Sequence, residues 1–350
     1  MTDPNFCLTL FDTSGIQDYV FGSNRLKENV GASYLVGAAL DQWLQRACQE
    51  AVGGGVRWRS VADVPDELAL PANAGLDAEL IYAAGGNAAV LFRSRELAVS
   101  AVQHWSKRVL LDAPGLRVSV AHQELAAGEL HRAWLEALEA LAVAKAGAPL
   151  RQPLEGISLT RACRSTGLAA AGWASPGADR DLDPHLPEPA RRAAQCLSPQ
   201  AARRLAAVEP ANDQLFGAFQ SVLKDEFTFT EDVEQLGQQE REHHLGVVHA
   251  DGNGLGKRFR AQLGPGDDDA VARRVRDFAR SIHLAAQQAL AATLAALAGS
   301  YDSLVRQGMQ ADQAHHPFVL PCRPILYGGD DVTFVCHGKL GLSLAAVYLR

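Results

Sequence analysis

The sequence predicts an α+β protein in which one strand–helix–hairpin–helix unit occurs twice, the two copies being joined by a mainly helical and irregular linker. Two strand-like apolar runs end in an aspartate that is followed three residues later by a glycine, at Asp12 and at Asp251. Each aspartate precedes a predicted helix and then two apolar runs that flank a double glycine, at 85–86 and at 328–329. An ordered match of this length is typical of a duplicated domain.

The first copy spans residues 1–125 and contains all the elements of the repeated unit. Apolar residues at helical spacing predict its helices, and short apolar runs predict its strands. The pair Gly85-Gly86 predicts a tight hairpin turn, because glycine adopts the positive φ angles that such turns need. The expected elements are strands over 6–11, 80–84, 88–92 and 116–121, and helices over 33–50 and 95–111.

The second copy, residues 243–350, repeats this order without a counterpart of the last strand. Its expected elements are a strand over 245–250, an Ala/Leu-rich helix over 269–298, a hairpin at Gly328-Gly329 and a helix from about 340. A sheet that lacks a strand would expose an edge and apolar surface. We therefore expect either that the chain is a fragment or that something else covers this edge.

The linker, residues 126–242, is expected to be mostly helical with irregular stretches. The segment Cys163-Arg-Ser-Thr166-Gly167 keeps one cysteine and a turn but has no Cys-x-x-Cys. With Cys196 it is a candidate remnant of a zinc module, although a pair of buried thiols is the more common structure. The six cysteines of the chain are scattered, which favours a reduced, cytoplasmic protein.

The composition of the chain indicates a folded protein and not a dedicated nucleic-acid-binding or membrane protein. The chain has 350 residues, 47% of them hydrophobic and 21% charged, which suits about two folded domains. A dedicated nucleic-acid-binding protein usually has a net positive charge, whereas this chain has a net charge of −7. RNA or DNA is therefore expected only as an activator or through a complex. We find no apolar stretch of the roughly 20 residues that a membrane span needs, and expect no membrane contact.

Three aspartates are the candidate catalytic and metal-binding residues. Asp251 ends the first strand of the second copy, and Asp330 and Asp331 stand at the tip of its hairpin. Carboxylates on neighbouring strands can hold Mg²⁺ or Mn²⁺, the ions of phosphoryl and nucleotidyl transfer. Either motif alone is typical of an ordinary turn, but their occurrence at matched positions of a repeat favours metal binding.

The first copy is predicted to be catalytically silent. Asp330 and Asp331 align there with Asn87 and Ala88, which cannot replace two carboxylates. Asp12 is then more easily explained as a structural cap than as a metal ligand. Glycine-rich turns and nearby polar groups in both copies are candidate nucleotide-binding residues, with Lys257 also open to being surface charge: Ser14, Gly15, Gln17, Gly85, Gly86, Gly252, Asn253, Gly254, Lys257, Gly328 and Gly329.

Besides the Gly-Gly-Asp-Asp hairpin, three segments carry a resemblance to a known family: Asp12-Thr-Ser-Gly-Ile-Gln17-Asp-Tyr-Val-Phe-Gly22, Arg25-Leu-Lys27 through Gly31-Ala-Ser33, and His249-Ala-Asp251-Gly-Asn253-Gly-Leu-Gly256. Over about residues 5–122 and 245–350 the chain resembles the Cas10 family, the large subunit of type III CRISPR effectors, with its Cmr2 and Csm1 branches. The resemblance implies two ferredoxin-like (βαββαβ) palm domains. It also implies polymerisation of ATP into cyclic oligoadenylate, an antiviral messenger.

Several functions stay open at this point. The leading hypothesis is a nucleotidyltransferase that joins ATP into cyclic or linear oligoadenylate, with two nucleotides facing each other across the palm pair. A diguanylate-type cyclase is ranked lower, because the hairpin lacks the Glu-Phe that marks that class. A non-catalytic nucleotide-binding sensor or scaffold subunit of a defence complex is the third. Both a CRISPR effector subunit and a stand-alone defence protein, with other defence proteins as partners, fit the resemblance.

Overall fold

The computed structural model describes residues 6–64, 66–147, 160–174, 195–233, 236, 244–307 and 317–350. The chain is a mixed α+β protein with several sheets, as predicted. The strands are β1 (Phe6–Ser14), β2 (Gly55–Arg57), β3 (Leu76–Ala84), β4 (Asn87–Phe92), β5 (Arg117–Leu125), β6 (Gly172–Ala174), β7 (Gln195–Leu197), β8 (Phe227–Phe229), β9 (Leu245–Ala250), β10 (Phe318–Leu320), β11 (Cys322–Gly328) and β12 (Asp331–His337).

Helices alternate with these strands along the chain. They are α1 (Ile16–Phe21), α2 (Leu26–Leu40), α3 (Gln42–Ala51), α4 (Arg95–Asp112), α5 (Leu130–Ala146), α6 (Pro199–Ala206), α7 (Val208–Leu223), α8 (Leu255–Gln262), α9 (Asp268–Gly299), α10 (Tyr301–Arg306) and α11 (Gly341–Tyr348). A short 3₁₀ helix, Gly338–Leu340, precedes α11.

Contacts divide the chain into two compact units. Each is built around one principal sheet: the first sheet has the strand order β2-β3-β4-β1-β5, and the second sheet has the order β11-β12-β9. The domain boundaries expected at residues 125 and 242 stay a prediction. The first unit comprises Met1–Tyr19, Leu35–Pro153 and Gly252–His283, and the second comprises Val20–Tyr34, Leu154–Asp251 and Leu284–Arg350.

β1 lies in the middle of the first sheet. It pairs antiparallel with β4 on one side and with β5 on the other, and every residue from Phe6 to Thr13 is buried. A strand that is covered on both faces can be apolar throughout instead of alternating, which is why 6–11 reads as one apolar run. Asp12 lies directly opposite Asn87 of β4.

The two faces of the first sheet pack against different helices. Leu8 belongs to the same core cluster as Trp134 of α5. On the other face, the ring of Phe11 makes an edge-to-face contact with Trp105 of α4, with the ring centroids 5.0 Å apart. Burial of each such large side chain contributes about 1.5–3 kcal/mol to folding.

β9 lies at the edge of the second sheet. It pairs antiparallel with β12, and among the described strands β12 is its single neighbour. Val248 packs on the core cluster that contains Leu294 of α9 and Phe334 of β12. Leu245 and Val247 point to the opposite face and are 47% and 65% exposed. One face of β9 is therefore covered and the other is open within the described part of the chain.

The helix predicted over 33–50 is two helices in the structure. α2 begins earlier, at Leu26, and a break at Asp41 separates it from α3. The backbone of Asp41 is not helical, and its carboxylate accepts a hydrogen bond from the indole Nε1 of Trp58 at 2.9 Å. Both helices have apolar residues facing the core, so the apolar pattern continues across the break and hides it from the sequence.

One helix contradicts the expectation that no stretch of the chain is long and apolar enough to span a membrane. α9 is long and apolar enough, by length and composition alone, to cross a bilayer. Length and composition alone do not distinguish a membrane span from the core helix of a water-soluble protein, and 22% of the apolar window of α9 is buried inside the protein.

Candidate functional site

The candidate site begins where β9 and β12 run side by side. Ala250, the last residue of β9, pairs with Val332 of β12. Continuing this antiparallel register by one residue places Asp251 opposite Asp331. Residues directly opposite each other in such a pair have Cα atoms about 4.5–5.5 Å apart. Two acids that are 80 residues apart in the sequence are thus brought together by strand pairing.

The hairpin geometry gives the two adjacent aspartates different places. Gly328 pairs with Asp331, so Gly329 and Asp330 are the two turn residues. Gly329 has a φ of +73°, in the region where a Cβ would be strained. Asp330 therefore lies in the turn itself, whereas Asp331 is the first residue of β12 and has a fixed direction from the sheet.

The register corrects the sequence alignment of the two hairpins by one residue. Asp12 pairs with Asn87, and Gly85 and Gly86 form the first turn with φ values of +58° and +80°. With the strand pairs matched, the counterpart of Asp331 is Asn87 rather than Ala88, and the counterpart of Asp330 is Gly86. The alignment was wrong because it matched the double glycines, whereas the second turn uses only one of its two glycines.

His249 is a site residue that the sequence argument did not single out. Its Nδ1 lies 3.2 Å from Oδ1 of Asp331 and 2.9 Å from Oγ1 of Thr333, the residue directly opposite it on β12. The only signal in the sequence is its position two residues before Asp251, which puts both side chains on the same face of β9. The contact with Thr333 thus positions the His249 ring beside the carboxylate of Asp331.

We tested whether these residues fit a divalent ion. Among the described residues, no group of three or more His, Cys, Asp or Glu side chains is close enough together to hold a metal, so the predicted meeting of Asp251, Asp330 and Asp331 at one point is not found. The pair Asp251 and Asp331 still offers the oxygen ligands that Mg²⁺ and Mn²⁺ prefer. Asp251 is exposed, and an ion would supply the attraction that draws the carboxylates together.

The surroundings of Asp331 include Tyr348 of α11. Burial, and then the negative charge of Asp331, raises the pKa of the Tyr348 hydroxyl. The hydroxyl therefore remains protonated at neutral pH and adds no negative charge beside the carboxylates.

The remaining candidates of the second copy follow Asp251 along the chain. Gly252 is half-buried, Asn253 is exposed, and Gly254 has a φ of +71° and immediately precedes α8. Lys257 lies in the first turn of α8 with its side chain exposed. The positive φ explains why glycine stands at 254, and the exposure of Lys257 agrees with both the phosphate-binding and the surface-charge interpretations.

The matching position in the first sheet has different chemistry. Asp12 is buried, with Oδ1 2.6 Å from the ammonium Nζ of Lys145 and with Oδ2 accepting a hydrogen bond from Ser14 Oγ at 2.8 Å. Lys145 lies in the last turn of α5. Asp12 therefore has a fixed counter-charge, which the sequence could not reveal because Lys145 is 133 residues away.

The other first-copy candidates lie just after β1, in α1 and in the turn between β3 and β4. Thr13 donates from its backbone N–H and its hydroxyl to the carbonyl of Gly86, at 2.8 and 2.9 Å, and so ties the turn to β1. Gly15 has a φ of +65°, and the guanidinium of Arg117 fills the space where a Cβ would lie. Gln17 is exposed on α1.

The candidate zinc remnant is a compact polar turn. Burial alone would raise the pKa of the Cys163 thiol, but hydrogen bonds from Ser165, Thr166 and nearby backbone groups lower it to about 6. The hydroxyl of Thr166 lies 3.0 Å from that of Ser198. This contact between hydroxyl groups links the turn to Ser198, the residue that precedes α6.

No protein-family model and no curated protein matches the chain. Solved structures match its fold. The chain has the fold of Csm1, the Cas10-type subunit of type III CRISPR Csm complexes. The resemblance inferred from the sequence is thereby confirmed at the level of fold.

Individual structures give the extent of this likeness. The apo Csm1–Csm4 cassette and the cassette in complex with one ATP each match with a TM-score of 0.51 and 15% identity; both matches cover 100% of this chain, and they cover 47% and 48% of the solved chains. Csm1 from T. onnurineus matches with a TM-score of 0.44 and 14% identity, covering 99% of this chain and 46% of that one. The chain thus spans about half the length of these proteins.

Proposed function

We propose that the chain is a palm-type nucleotidyltransferase that joins ATP molecules into oligoadenylate, linear or cyclic. The observation that carries this proposal is the pairing of Ala250 with Val332, which supports a position for Asp251 opposite Asp331, beside the hairpin turn that contains Asp330. A solved structure of the same fold is a complex with one ATP, which supports ATP as the nucleotide.

The two principal sheets would be the cores of two ferredoxin-like palms. In the first sheet, β1 is flanked by β5 and β4, with β3 next to β4, and helices connect β1 to β3 and β4 to β5. In the second sheet, β9, β11 and β12 repeat the order of β1, β3 and β4. This shared connectivity supports the duplication on which the proposal rests.

In the reaction, a ribose hydroxyl of one ATP attacks the α-phosphorus of another, a new phosphodiester forms, and pyrophosphate leaves. Asp251 and Asp331, with Asp330 in the adjacent turn, would hold Mg²⁺ or Mn²⁺, and such an ion would neutralise triphosphate charge and make the hydroxyl more acidic. His249, itself in contact with Thr333, would orient Asp331. Gly328 has open space where a Cβ would lie, so a phosphate could approach the backbone there.

Further groups would bind the phosphates. Backbone N–H groups of Gly252, Asn253 and Gly254 and the side chain of Lys257 are the candidates that follow Asp251 in the chain. In the first copy, Ser14, Gly15, Gln17 and the turn Gly85-Gly86 would bind a second nucleotide without catalysis. Csm4 is the partner in the solved cassettes, so we propose defence-complex subunits as partners of this chain in the cytoplasm.

The test is product formation by the purified chain from ATP with Mg²⁺ or Mn²⁺, followed by chromatography and pyrophosphate release. We expect Asp331→Ala to reduce the rate by about a thousandfold, since loss of charge stabilisation worth several kcal/mol has that effect. Asn87→Ala, the matching position of the first sheet, is the control and should keep the rate. Equal activity of Asp331→Ala and the wild type, or no product from any nucleotide with or without RNA activators, would refute the proposal.

A non-catalytic nucleotide sensor is the second candidate. It is favoured by the lack of a three-ligand cluster among the described residues and by the neutralised acid of the first sheet. Calorimetry with ATP separates the two candidates: a sensor binds ATP tightly and releases it unchanged. Parallel assays with GTP alone would detect a diguanylate-type activity.

A further inference from the structure

Asp12 of the first sheet is a buried carboxylate whose two oxygens both have partners. Lys145 Nζ lies 2.6 Å from Oδ1, and Ser14 Oγ donates to Oδ2 at 2.8 Å. The Asp12 side chain is 5% exposed. A buried carboxylate is costly unless an opposite charge and hydrogen bonds compensate for its lost hydration. Lys145 supplies that charge from the last turn of α5.

The same face of the second sheet has no such cover among the described residues. With Asp12 matched to Asp251, Leu8 matches Val247 and Leu10 matches His249. Leu8 and Leu10 are packed in the cluster that includes α5, whereas Val247 is 65% exposed and the His249 side chain is 41% exposed. The helix that carries the ammonium to Asp12 thus covers a face whose counterpart in the second sheet is open within the described part of the chain.

The groups near Asp12 also differ from those near Asp251 in their ability to hold a metal. Asn87 lies opposite Asp12, so the strand pair contributes one carboxylate where the second sheet contributes two. Burial, and then the charge of Asp12, raises the pKa of the Tyr82 hydroxyl, which therefore stays protonated and is a poor cation ligand. One carboxylate that is already paired with an ammonium is a weak site for a divalent ion.

We propose that Lys145 is the built-in cation of the first sheet: its ammonium takes the place that a divalent ion would occupy beside Asp12, so that the first sheet binds no metal. This inference rests on the proposed function only in naming the second sheet as the metal-binding one. A nucleotide at the first sheet would then meet the charge of Lys145 and not that of a metal.

The test counts bound Mn²⁺ by electron paramagnetic resonance. All first-sheet variants are made in the background Asp330→Ala/Asp331→Ala, which removes acids of the second site. In this background we expect that Asp12 binds no Mn²⁺, so that the number of bound ions does not depend on its carboxylate. The single variant Asn87→Asp should also bind none, because Lys145 remains. The pair Asn87→Asp/Lys145→Met, which adds a carboxylate and removes the ammonium, should gain one ion.

A control variant tests whether the positive charge at residue 145 is what excludes the ion. Asn87→Asp/Lys145→Arg keeps the positive charge and should bind no additional ion. Circular dichroism shows whether the variant Asn87→Asp/Lys145→Met folds. If it does not fold, the background protein still tests the proposal, because a bound Mn²⁺ ion that is lost in Asp12→Asn would overturn it. A folded Lys145→Met pair that gains no ion would overturn it too. Loss of Mn²⁺ on going from the wild type to the background tests the proposed function separately.

Discussion

β1 and β9 occupy matching places in their sheets, but their surroundings differ. β1 is paired on both edges and covered on both faces, and all residues from Phe6 to Thr13 are buried. β9 is paired on one edge among the described strands and leaves alternate side chains exposed. Two units can therefore share the order of their strands and helices and still differ in the chemistry at the end of the matching strand, because different groups pack around that end.

The aspartates at the ends of these two strands differ in the same way. Asp12 lies on the covered face and is held by Lys145 and Ser14. Asp251 is exposed on the open face. A metal site has to admit both an ion and a substrate, and of these two strand-end acids Asp251 is the accessible one. Four predictions test this contrast, beginning with the largest expected effect.

The strongest contrast is expected from introducing a lysine into each strand. Leu8→Lys buries a charge in a closed core and should lower the free energy of unfolding by about 3 kcal/mol or more, enough to prevent stable folding. Val247→Lys should change it by less than about 0.5 kcal/mol, because this side chain is exposed and lysine is common on edge strands. Urea unfolding followed by circular dichroism measures both. A large loss in Val247→Lys would mean that this face is covered.

The second prediction concerns the support of Asp331. His249→Ala removes the side chain 3.2 Å from the carboxylate and should weaken Mn²⁺ binding about 10–100-fold, as loss of groups that orient metal ligands does. Leu245→Ala, on the same face of β9, is the control and should leave the affinity unchanged. The readout is an Mn²⁺ titration by electron paramagnetic resonance. Unchanged affinity in His249→Ala would show that Asp331 needs no such support.

The third prediction compares the two turns. Gly86→Ala forces a Cβ into a residue with a φ of +80° and within 2.4 Å of Ile16 Cδ1, and should cost about 1–2 kcal/mol. Gly328→Ala should cost less than about 0.5 kcal/mol, since its φ is not positive and no atom lies within 4 Å of the new Cβ. Thermal unfolding of the two variants tests this. Equal losses would contradict the turn assignment.

The smallest effect is expected from pH. Burial, and then the charge of Arg95, lowers the pKa of His122, whose Nδ1 lies 3.0 Å from Thr9 Oγ1 of β1. The folded pKa lies below the unfolded value of about 6.5, so the unfolded chain takes up protons first on acidification. This contribution to stability is complete above about pH 6.5 and is lost as the pH falls through the folded pKa.

His122→Gln should therefore reduce the loss of stability between pH 7 and pH 5. The measurement is the urea midpoint of the variant and the wild type at both values. An unchanged pH dependence in the variant would exclude His122 as a source of acid sensitivity at the β1–β5 pair.

The features that depend on a pattern of neighbouring residues were predicted from the sequence. The strands of the first hairpin, its glycine turn and the placement of Asp251 at a strand end all follow from runs of a few residues. The sequence predicted the sheet register less well, because Gly328 and Gly329 look alike in a sequence and only the pairing of β11 with β12 identifies the turn as Gly329-Asp330. A slip of one residue in such an alignment changes which acid is matched to Asn87.

Contacts between distant residues could not be predicted. Lys145 lies on a helix with no motif of its own, and its contact with Asp12 depends on how α5 crosses β1. His249 looked like one polar residue in a strand until its neighbour Thr333 was known. The break at Asp41 is likewise stabilised by Trp58, which lies outside the apolar pattern that predicted the helix.

Among the described strands β9 pairs only with β12, and this also bears on local opening. Amide hydrogen exchange reports the free energy of the smallest opening that frees each N–H, and strands bonded on both sides are the slowest to exchange. We infer that β1 exchanges near the limit set by global unfolding, while β9 exchanges early. The acid proposed to do chemistry thus ends the strand that opens more readily, and an ion bound there would slow that exchange.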